Sequence, residues 1–255
     1  MMLMLEWIWR DLRQAMRQLR RAPVFTAAAM MTLALGIGAT TAIFTLIQQV
    51  MLRPLAVPQP NQLWRIGDVV GCCHASGYTQ TDWSFFPWEA YKVLRTHTPA
   101  FENLAAFQVG DAGLGVRRHG SAAAVKGANG EFVSGNFFQT FGVAPWIGRF
   151  FTDANDQEGA TPVAVMSFHA WQAKYGADPS VVGALYQLNG HPFTVMGVAP
   201  PEFFGAKIDG GNMPDFWLPL ATEPLVTGEA SRLRSNGEPW LDLIGRVRAG
   251  TNPTA

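Results

Sequence analysis

Residues 20–55 read RRAPVFTAAAMMTLALGIGATTAIFTLIQQVMLRPL, with no charged side chain between Arg21 and Arg53. The apolar run Val24–Ile47 is 24 residues long, and a membrane-spanning helix needs about 20. A secretory signal has a shorter apolar core that ends at small residues suited to cleavage, whereas this run ends in IQQVML. A buried helix of a soluble protein usually keeps a polar face. The stretch therefore predicts a transmembrane helix over residues 23–52.

Small residues within this helix form two strips. They are Ala34, Gly38 and Ala42 on one face, and Thr32, Gly36 and Thr40 on what we interpret as an adjacent strip. Small side chains let membrane helices approach closely. We therefore predict that Ala34, Gly36, Gly38 and Ala42 pack against partner helices. The alternative is that small residues are simply common in membrane helices.

The residues before the span are basic and patterned. The basic side chains are Arg10, Arg13, Arg17, Arg20 and Arg21, and Arg53 alone follows the span closely. The positive-inside rule then places the N-terminus in the cytoplasm and residues 53–255 outside it. Apolar side chains recur on the other side at helical spacing, so residues 1–22 predict a basic amphipathic helix. This helix lies on the anionic inner leaflet or docks on a cytoplasmic partner.

Charge is divided between two parts of the chain. Residues 1–53 carry six Lys/Arg against two Asp/Glu, and residues 54–255 carry thirteen against seventeen. The second part is therefore mildly acidic, with its basic residues scattered. Nucleic-acid binding needs a basic patch, so we expect no nucleic-acid partner.

Strands and short helices alternate after the span, which predicts an α+β domain. The predicted strands are Gln62–Gly67, several between Leu104 and Gly130, Pro162–Met166, Val181–Leu188, Pro192–Val198, Asp215–Leu220 and Trp240–Val247. The predicted helices start at Pro87, after Ser134 and after Ser167, and end at Thr98-Pro99, Gly142 and Gly176. Asn189-Gly190 lies between two strand-like runs and predicts a type I′ hairpin.

Cys72 and Cys73 stand next to His74 in a predicted loop. Zinc sites usually space their cysteines by two to four residues and need a fourth ligand, so metal binding is disfavoured. Outside the cytoplasm the two thiols could form a vicinal disulfide, at the cost of a strained peptide, or stay free. Both alternatives stay open.

Other catalytic or metal signatures are incomplete. TDANDQEG, residues 152–159, resembles a calcium loop, but its glycine is one position late and Ala164 stands where a bidentate Glu is required. The sequence contains no Gly-x-Ser-x-Gly elbow and no Gly-x-x-x-x-Gly-Lys loop. We therefore predict a solvated turn at 152–159, no enzymatic activity and no cofactor, catalytic or metal residues. Any ATP chemistry must come from a partner.

Three stretches carry a family resemblance: DLRQAMRQLRRAPVFTAAAMMTLALGIGATTAIFTLIQQVMLRPL, GEFVSGNFFQTFGVAPWIGRFFT and DPSVVGALYQLNGHPFTVMGVAPPEFFG. In this order and spacing they resemble the start of MacB/FtsX-like ABC transporter permeases, most of all the branch called Acidobacterial duplicated orphan permeases. The resemblance runs from about residue 9 to the last residues.

The resemblance implies a first membrane helix followed by a MacB-like periplasmic core domain at residues 53–255, with a porter-like part to about residue 145 and a mostly β part from about 146. In such permeases this domain moves as a cytoplasmic ABC ATPase subunit opens and closes. Family members continue into further membrane helices, often with a second permease copy, so we expect this chain to be truncated at its C-terminus. No catalytic residue is implied.

Two functions are consistent with these features. The first is a permease component, or fragment, in the bacterial inner membrane that couples a cytoplasmic ATPase to efflux or envelope-handling work. The second is a single-pass membrane-tethered domain that binds an extracytoplasmic ligand without transport. The two differ in whether the span has helix partners.

Overall fold

The computed structural model describes residues 13, 14, 17, 20–51, 57–66, 85–206, 213–235, 237–248, 250 and 251. The chain divides into two compact units, Met1–Pro54 and Leu55–Ala255. We call the first the helical unit and the second the sheet unit.

The helical unit is built on one long helix, α1 (Pro23–Met51). None of its apolar window, Pro23–Thr45, is buried within the structure. At 1.5 Å per residue this window extends about 35 Å, and a bilayer's hydrocarbon core is about 30 Å thick. Within the described residues, α1 alone is long and apolar enough to cross a membrane. The prediction of an N-terminal apolar helix is confirmed.

The sheet unit contains ten strands and four helices among its described residues. The strands are β1 (Leu63–Ile66), β2 (Phe101–Gln108), β3 (Ala112–Arg118), β4 (Lys126–Val133), β5 (Ile147–Gly148), β6 (Val163–Met166), β7 (Leu185–Leu188), β8 (His191–Val198), β9 (Phe216–Pro219) and β10 (Leu241–Val247). The helices are α2 (Trp88–His97), α3 (Phe137–Phe141), α4 (Phe168–Tyr175) and α5 (Glu223–Thr227). This composition is α+β, as predicted.

The strands form one sheet whose pairings close on themselves. The strand order is β1-β10-β2-β4-β3-β7-β8-β6-β9, and β9 also pairs with β4. Six strands, from β4 through β3, β7, β8 and β6 to β9, therefore make a closed circuit. The β4–β9 and β6–β8 pairs are parallel, and the other pairs in the circuit are antiparallel. The antiparallel strands β1, β10 and β2 extend the sheet beyond this circuit.

Both faces of this sheet are buried, because two apolar clusters lie on opposite sides of it. Successive residues of a strand point to opposite faces. In β6, Ala164 and Met166 belong to one cluster and Val163 and Val165 to the other. The second cluster packs aromatic rings of α3 against the sheet, and in it the Phe137 and Phe141 ring centroids are 4.9 Å apart. Burial on both sides explains why the β6 sequence is apolar without alternation.

Two glycines allow β5 to lie close to β8. Gly148 pairs with Gly197, and a Cβ added at Gly148 would lie 2.3 Å from the carbonyl oxygen of Met196. Gly148 also has φ of +75°, a conformation that residues with a side chain rarely adopt. The pairing of β5 with β8 therefore depends on glycine at this position.

Most predicted elements are present with shifted ends. Ser167 Oγ accepts a hydrogen bond from Ala170 N and caps α4, which ends at Gly176. Asn189 and Gly190 have φ of 47° and 85°, as a type I′ turn requires. The strand predicted over Val181–Leu188 begins only at Leu185, because residues 179–181 form a 3-10 turn.

One predicted helix cap is wrong. Ser134 does not cap α3, whose N-cap residue is Asn136. Instead, Ser134 Oγ accepts from Ala106 N at 3.0 Å and donates to the Asn136 side chain at 2.8 Å. Ser134 therefore joins the start of α3 to β2, a long-range contact that local spacing does not reveal.

Strands from both sides of residue 145 pair with each other. β3 pairs with β7 and β4 with β9, so the sheet runs through the predicted porter-like and mostly β parts. The division near residue 145 remains a prediction.

Candidate functional site

The threonine hydroxyls of α1 form hydrogen bonds within the helix itself. Each of its threonine hydroxyls donates to a carbonyl oxygen four residues earlier, at distances between 2.7 and 2.9 Å: Thr26, Thr32, Thr40, Thr41 and Thr45. A polar group left without a partner in hydrocarbon costs several kcal/mol, so this arrangement suits a lipid surround. The helix surface can therefore contact lipid or another helix without an unpaired threonine hydroxyl.

The four predicted packing residues lie on the exposed surface of α1, and their arrangement corrects one expectation. Ala34, Gly36, Gly38 and Ala42 are all exposed. Residues two positions apart in an α-helix differ by about 200° around its axis. The Gly36 strip and the Gly38 strip therefore lie on nearly opposite sides of α1, and the expectation that they are adjacent is wrong. The helix thus presents two separate small-residue surfaces.

The predicted basic face is described in part. Arg13, Arg17, Arg20 and Arg21 are helical and exposed. Arg10 lies outside the described residues, as do nearly all the apolar residues of the predicted amphipathic helix. The amphipathic helix therefore remains a prediction.

The stretches that could hold a metal ion or a disulfide form no such site among the described residues. Cys72 and Cys73 lie outside the described residues, so their redox state remains open. No group of three or more His, Cys, Asp or Glu side chains that could hold a metal ion occurs among the residues that the structure describes. In the calcium-like stretch, Asp153 pairs with Arg95 at 2.5 Å and Asp156 accepts from two backbone amides. Two carboxylates of this turn are therefore bonded to other segments of the sheet unit, while residues 152, 154 and 157–159 are exposed.

Asp156 joins three segments of the sheet unit. Its carboxylate accepts from Gly135 N at 2.8 Å and from Ala221 N at 2.7 Å. Burial raises the pKa of Asp156 above its ordinary value of 3.8, and the two backbone hydrogen bonds oppose this rise. Asp156 therefore fixes two loops that follow different strands, β4 and β9.

A buried arginine binds the beginning of the sheet unit to its last strand. Arg246, on β10, is 7% exposed. Its Nη2 donates to Pro58 O at 3.1 Å and to Phe141 O at 3.0 Å, and its Nε donates to Thr140 O at 2.8 Å. Its Nη1 lies 3.4 Å from Gln59 O and from Gln62 Oε1. We call this set of contacts the Arg246 clamp.

In the clamp, carbonyl and amide oxygens surround the positively charged Arg246 guanidinium. Among the described residues, no carboxylate forms an ion pair with Arg246. Its acceptors include the last carbonyls of α3, which have no partner within the helix and attract positive charge. A rigid guanidinium spreads five donors over three nitrogens and reaches oxygens on separate segments, whereas a lysine ammonium has three donors on one nitrogen. The clamp therefore fixes the Pro58–Gln62 segment to α3 and β10.

An ion pair joins β1 to β10. Arg65 Nη2, on β1, is 2.6 Å from Asp242 Oδ2 on β10, and the Asp242 side chain is nearly buried. The Arg65 guanidinium also lies 5.7 Å from the centre of the Phe107 ring. Together with the clamp, this pair fixes β1 and the segment before it to β10 and α3.

Sequence reasoning missed Arg246. A weak signal was present, because Arg246 is a charged residue in the otherwise mostly apolar strand LDLIGRV. Its partners are 105 to 188 positions away in the chain, so the sequence could not identify them.

The chain matches one protein family and is similar to several solved structures. A family model described as MacB-like periplasmic core domain matches residues 26–255. The periplasmic region of MacB from Actinobacillus actinomycetemcomitans is 17% identical, with a TM-score of 0.49, over 67% of this chain and 69% of that chain. The extracellular domain of the noncanonic ABC-type transporter YknZ from Gram-positive bacteria is 14% identical, with a TM-score of 0.46, over 74% and 83% of the two chains. No curated protein matches the sequence.

Proposed function

Since the chain belongs to the MacB-like periplasmic core domain family of ABC transporter permeases, we propose that it couples a cytoplasmic ABC ATPase subunit to work outside the cytoplasm. This work is efflux or the handling of an envelope component. In this proposal α1 spans the inner membrane, the arginine-rich N-terminus faces the cytoplasm and the sheet unit faces the other side.

The observation that carries the proposal is the extent of the family match. It begins at residue 26, inside α1, and continues through the last strand. The membrane helix and the sheet unit are therefore matched together, as parts of one permease architecture. The internal hydrogen bonds of the α1 threonines support a position in lipid.

Coupling requires that movement near the membrane reach the whole sheet unit. Pro58 follows the end of α1 by seven positions in the sequence, and the Arg246 clamp holds it. Displacing Pro58 would break charge-assisted hydrogen bonds, which are stronger than neutral ones. We therefore propose that the clamp transmits a displacement of the Pro58–Gln62 segment directly to α3 and β10.

The chain needs a partner for ATP hydrolysis, since it has no Gly-x-x-x-x-Gly-Lys loop. The arginines before α1 are the nearest surface for that subunit. Two opposite small-residue strips also allow α1 to contact two neighbouring helices, from further permease helices or from a second permease copy.

The second candidate function is a single-pass tether that carries a binding domain without transport. A cavity of about 330 Å³ beside β3 favours it, because this volume lies within the range of ligand sites. This function requires neither an ATPase nor partner helices.

Purification from native bacterial membranes tests the two functions. The full chain, tagged at its C-terminus, would be extracted in mild detergent, and co-purifying ABC ATPase subunits identified by mass spectrometry. We expect an ABC ATPase in stable proportion and vanadate-sensitive ATP hydrolysis. Recovery of the chain without any ATPase would reject the first function in favour of the second.

The coupling role needs its own comparison. Arg246→Lys keeps the charge but loses the forked donors. Arg248→Lys makes the same change at an exposed arginine whose side chain, among the described residues, donates to Pro99 O. We expect Arg246→Lys to lower ATP hydrolysis by the purified complex while the amount of bound ATPase stays constant. If both variants hydrolyse ATP at the wild-type rate, the clamp has no part in coupling.

A further inference from the structure

Four arginines precede α1 and lie on one side of a helix. Arg13, Arg17, Arg20 and Arg21 are helical and exposed. At about 100° per residue on one helix, these four positions fall within an arc of about 100°. We call this set the arginine face. Like charges gathered on one side of a helix repel one another, so the face favours a partner that supplies negative charge.

The chain supplies little negative charge near the arginine face. Residues 1–53 contain six arginines against two acidic residues, Glu6 and Asp11, and no Asp or Glu occurs from Leu12 to Gly67. None of the four arginines belongs to an ion pair among the described residues. Most of the positive charge is therefore left for an anion from outside the chain.

The position of the arginine face indicates where this anion lies. Arg20 and Arg21 precede Pro23, the first residue of α1, by three and two positions. That separation is about 3–5 Å along a helix, and polar headgroups occupy about 5–8 Å on each side of a bilayer's hydrocarbon core. With α1 in the membrane, as the proposed function has it, both residues lie at the level of the lipid headgroups.

The other two arginines of the face can reach the same layer. Ala22 interrupts the helical conformation between Arg21 and Pro23. Because of this break, the segment with Arg13 and Arg17 need not continue along the α1 axis. It can instead lie along the membrane surface, as basic amphipathic helices do.

The type of basic residue points to phosphate as the anion. All six basic residues before residue 54 are arginines, whereas the rest of the chain contains four lysines. A lysine carries the same charge on one nitrogen, but the planar fork of a guanidinium binds two oxygens of one phosphate group at once. Residue type and position therefore agree on the phosphate groups of lipids.

We propose that the arginine face binds the phosphate groups of anionic phospholipids and so selects these lipids at the start of α1. Arg20 and Arg21 bind phosphates at the end of the span, and Arg13 and Arg17 bind further headgroups along the surface. Each basic residue near an anionic surface strengthens binding by roughly fivefold. This inference rests on the proposed function only for the placement of α1 in a membrane, because lipid binding requires no ATPase.

An acidic surface of the ATPase subunit is the competing partner, since the same arginines are the nearest surface for that subunit. The position of Arg20 and Arg21 favours lipid, because residues within the headgroup layer contact phosphates before any subunit binds. The experiment therefore uses the full chain purified without an ATPase.

Native mass spectrometry, which counts bound lipids, tests the proposal. The full chain in mild detergent would be titrated with phosphatidylglycerol or with phosphatidylcholine of the same acyl chains. We expect phosphatidylglycerol to bind at least about tenfold more tightly, and this preference to shrink as the salt concentration rises. Because a detergent micelle has no cytoplasmic side, the result does not depend on the orientation of α1.

Matched variants locate the site. Glutamine at all four positions of the arginine face should remove most of the preference for phosphatidylglycerol. Lysine at the same positions keeps the charge but loses the forked donors, so it should retain part of the preference. In the control variant, glutamine replaces four exposed arginines of the sheet unit and should leave the preference unchanged: Arg117, Arg149, Arg234 and Arg248.

Four results would overturn the proposal. They are equal affinity of the wild type for the two lipids, an unchanged preference in the glutamine variant of the arginine face, a lysine variant that retains no more than the glutamine variant, and an equal loss in the control variant. Failure to recover an ATPase with the wild-type chain would reject the proposed function and leave the lipid result standing.

Discussion

Arg246 Nη2 donates a hydrogen bond to Pro58 O at 3.1 Å across 188 positions of the chain. The same nitrogen donates to the final carbonyl of α3. The segment that begins the described sheet unit is thus fixed to its last strand and to its aromatic cluster by one side chain. A domain whose first segment is fixed in this way can move as one body with that segment.

Removing the clamp should destabilise the sheet unit. Arg246→Met would leave several buried carbonyls without donors, and we expect a loss of about 3 kcal/mol in the free energy of unfolding. Arg248→Met, at the exposed arginine, should cost less than about 0.5 kcal/mol. Urea titration of the full chain in detergent, followed by tryptophan fluorescence, measures both. Equal losses in the two variants would contradict a special role for Arg246.

Asp156 should make stability depend on pH. Its pKa is higher in the folded chain than the ordinary value of 3.8, so the folded state binds more protons between these two pKa values. The stabilising contribution of Asp156 to the free energy of unfolding is therefore fully present below pH 3.8. It is lost as the pH rises through the raised pKa of the folded chain.

Asp156→Asn removes this titration and leaves all other groups in place. We expect the free energy of unfolding of the wild type, minus that of Asp156→Asn, to fall as the pH rises through this interval. Urea titrations of both chains between about pH 3 and pH 7 measure the difference. A difference that stays constant or rises with pH would show that the pKa is not raised.

Two glycines with positive φ should differ in their tolerance of alanine. Gly190→Ala meets only the cost of the left-handed conformation, about 1–2 kcal/mol, because the space around it is open. Gly148→Ala adds a collision with the Met196 carbonyl and should cost at least about 2 kcal/mol more. Thermal unfolding followed by circular dichroism compares the two variants. Similar melting temperatures would mean that β5 can move away from β8.

The small-residue strips of α1 should govern its assembly with other helices. Ala34→Leu enlarges a residue on the Gly38 strip. Ala39→Leu makes the same change in the row Leu35, Ala39 and Ile43, which belongs to neither strip. We expect Ala34→Leu to reduce the recovery of partner subunits several-fold and Ala39→Leu to have no effect. Quantitative mass spectrometry after mild extraction measures recovery. Unchanged recovery with Ala34→Leu would favour a helix that contacts only lipid on this strip.

The orientation of α1 should follow its flanking arginines. We expect alkaline phosphatase fused after Ala255 to be active and green fluorescent protein at the same position to be dark. Replacing Arg10, Arg13, Arg17, Arg20 and Arg21 with glutamine should raise the inverted fraction, because it removes the charge asymmetry. A fluorescent fusion in the otherwise unchanged chain would disprove the predicted topology.

Local signals in the sequence predicted the elements that depend on neighbouring residues. The Asn189-Gly190 turn and the Ser167 cap were predicted correctly, because each is determined within a few positions. The predicted cap at Ser134 is wrong, because its hydroxyl accepts from β2 and not from a backbone amide of α3. The prediction that the two α1 strips are adjacent is also wrong, since a step of two residues leads to the far side of a helix.

The residues of the candidate sites could be predicted only in part. The helix residues Ala34 and Gly38 follow from spacing along one element, and their packing against partner helices remains a prediction. The partners of Arg246 and of Asp156 lie on other elements, and no periodicity connects them. The cavity beside β3 likewise consists of residues from several segments brought together by strand pairing.

The sequence by itself determined the apolar helix, because solvation of an uncharged 23-residue window depends on composition and length alone. It also determined the α+β composition of the domain after this helix, because turn residues and apolar runs act locally. Only the tertiary structure decided how the strands close into a circuit and which distant carbonyls hold Arg246. These depend on pairings between residues far apart in the chain, where many registers satisfy the same local pattern and only joint burial of both sheet faces selects one.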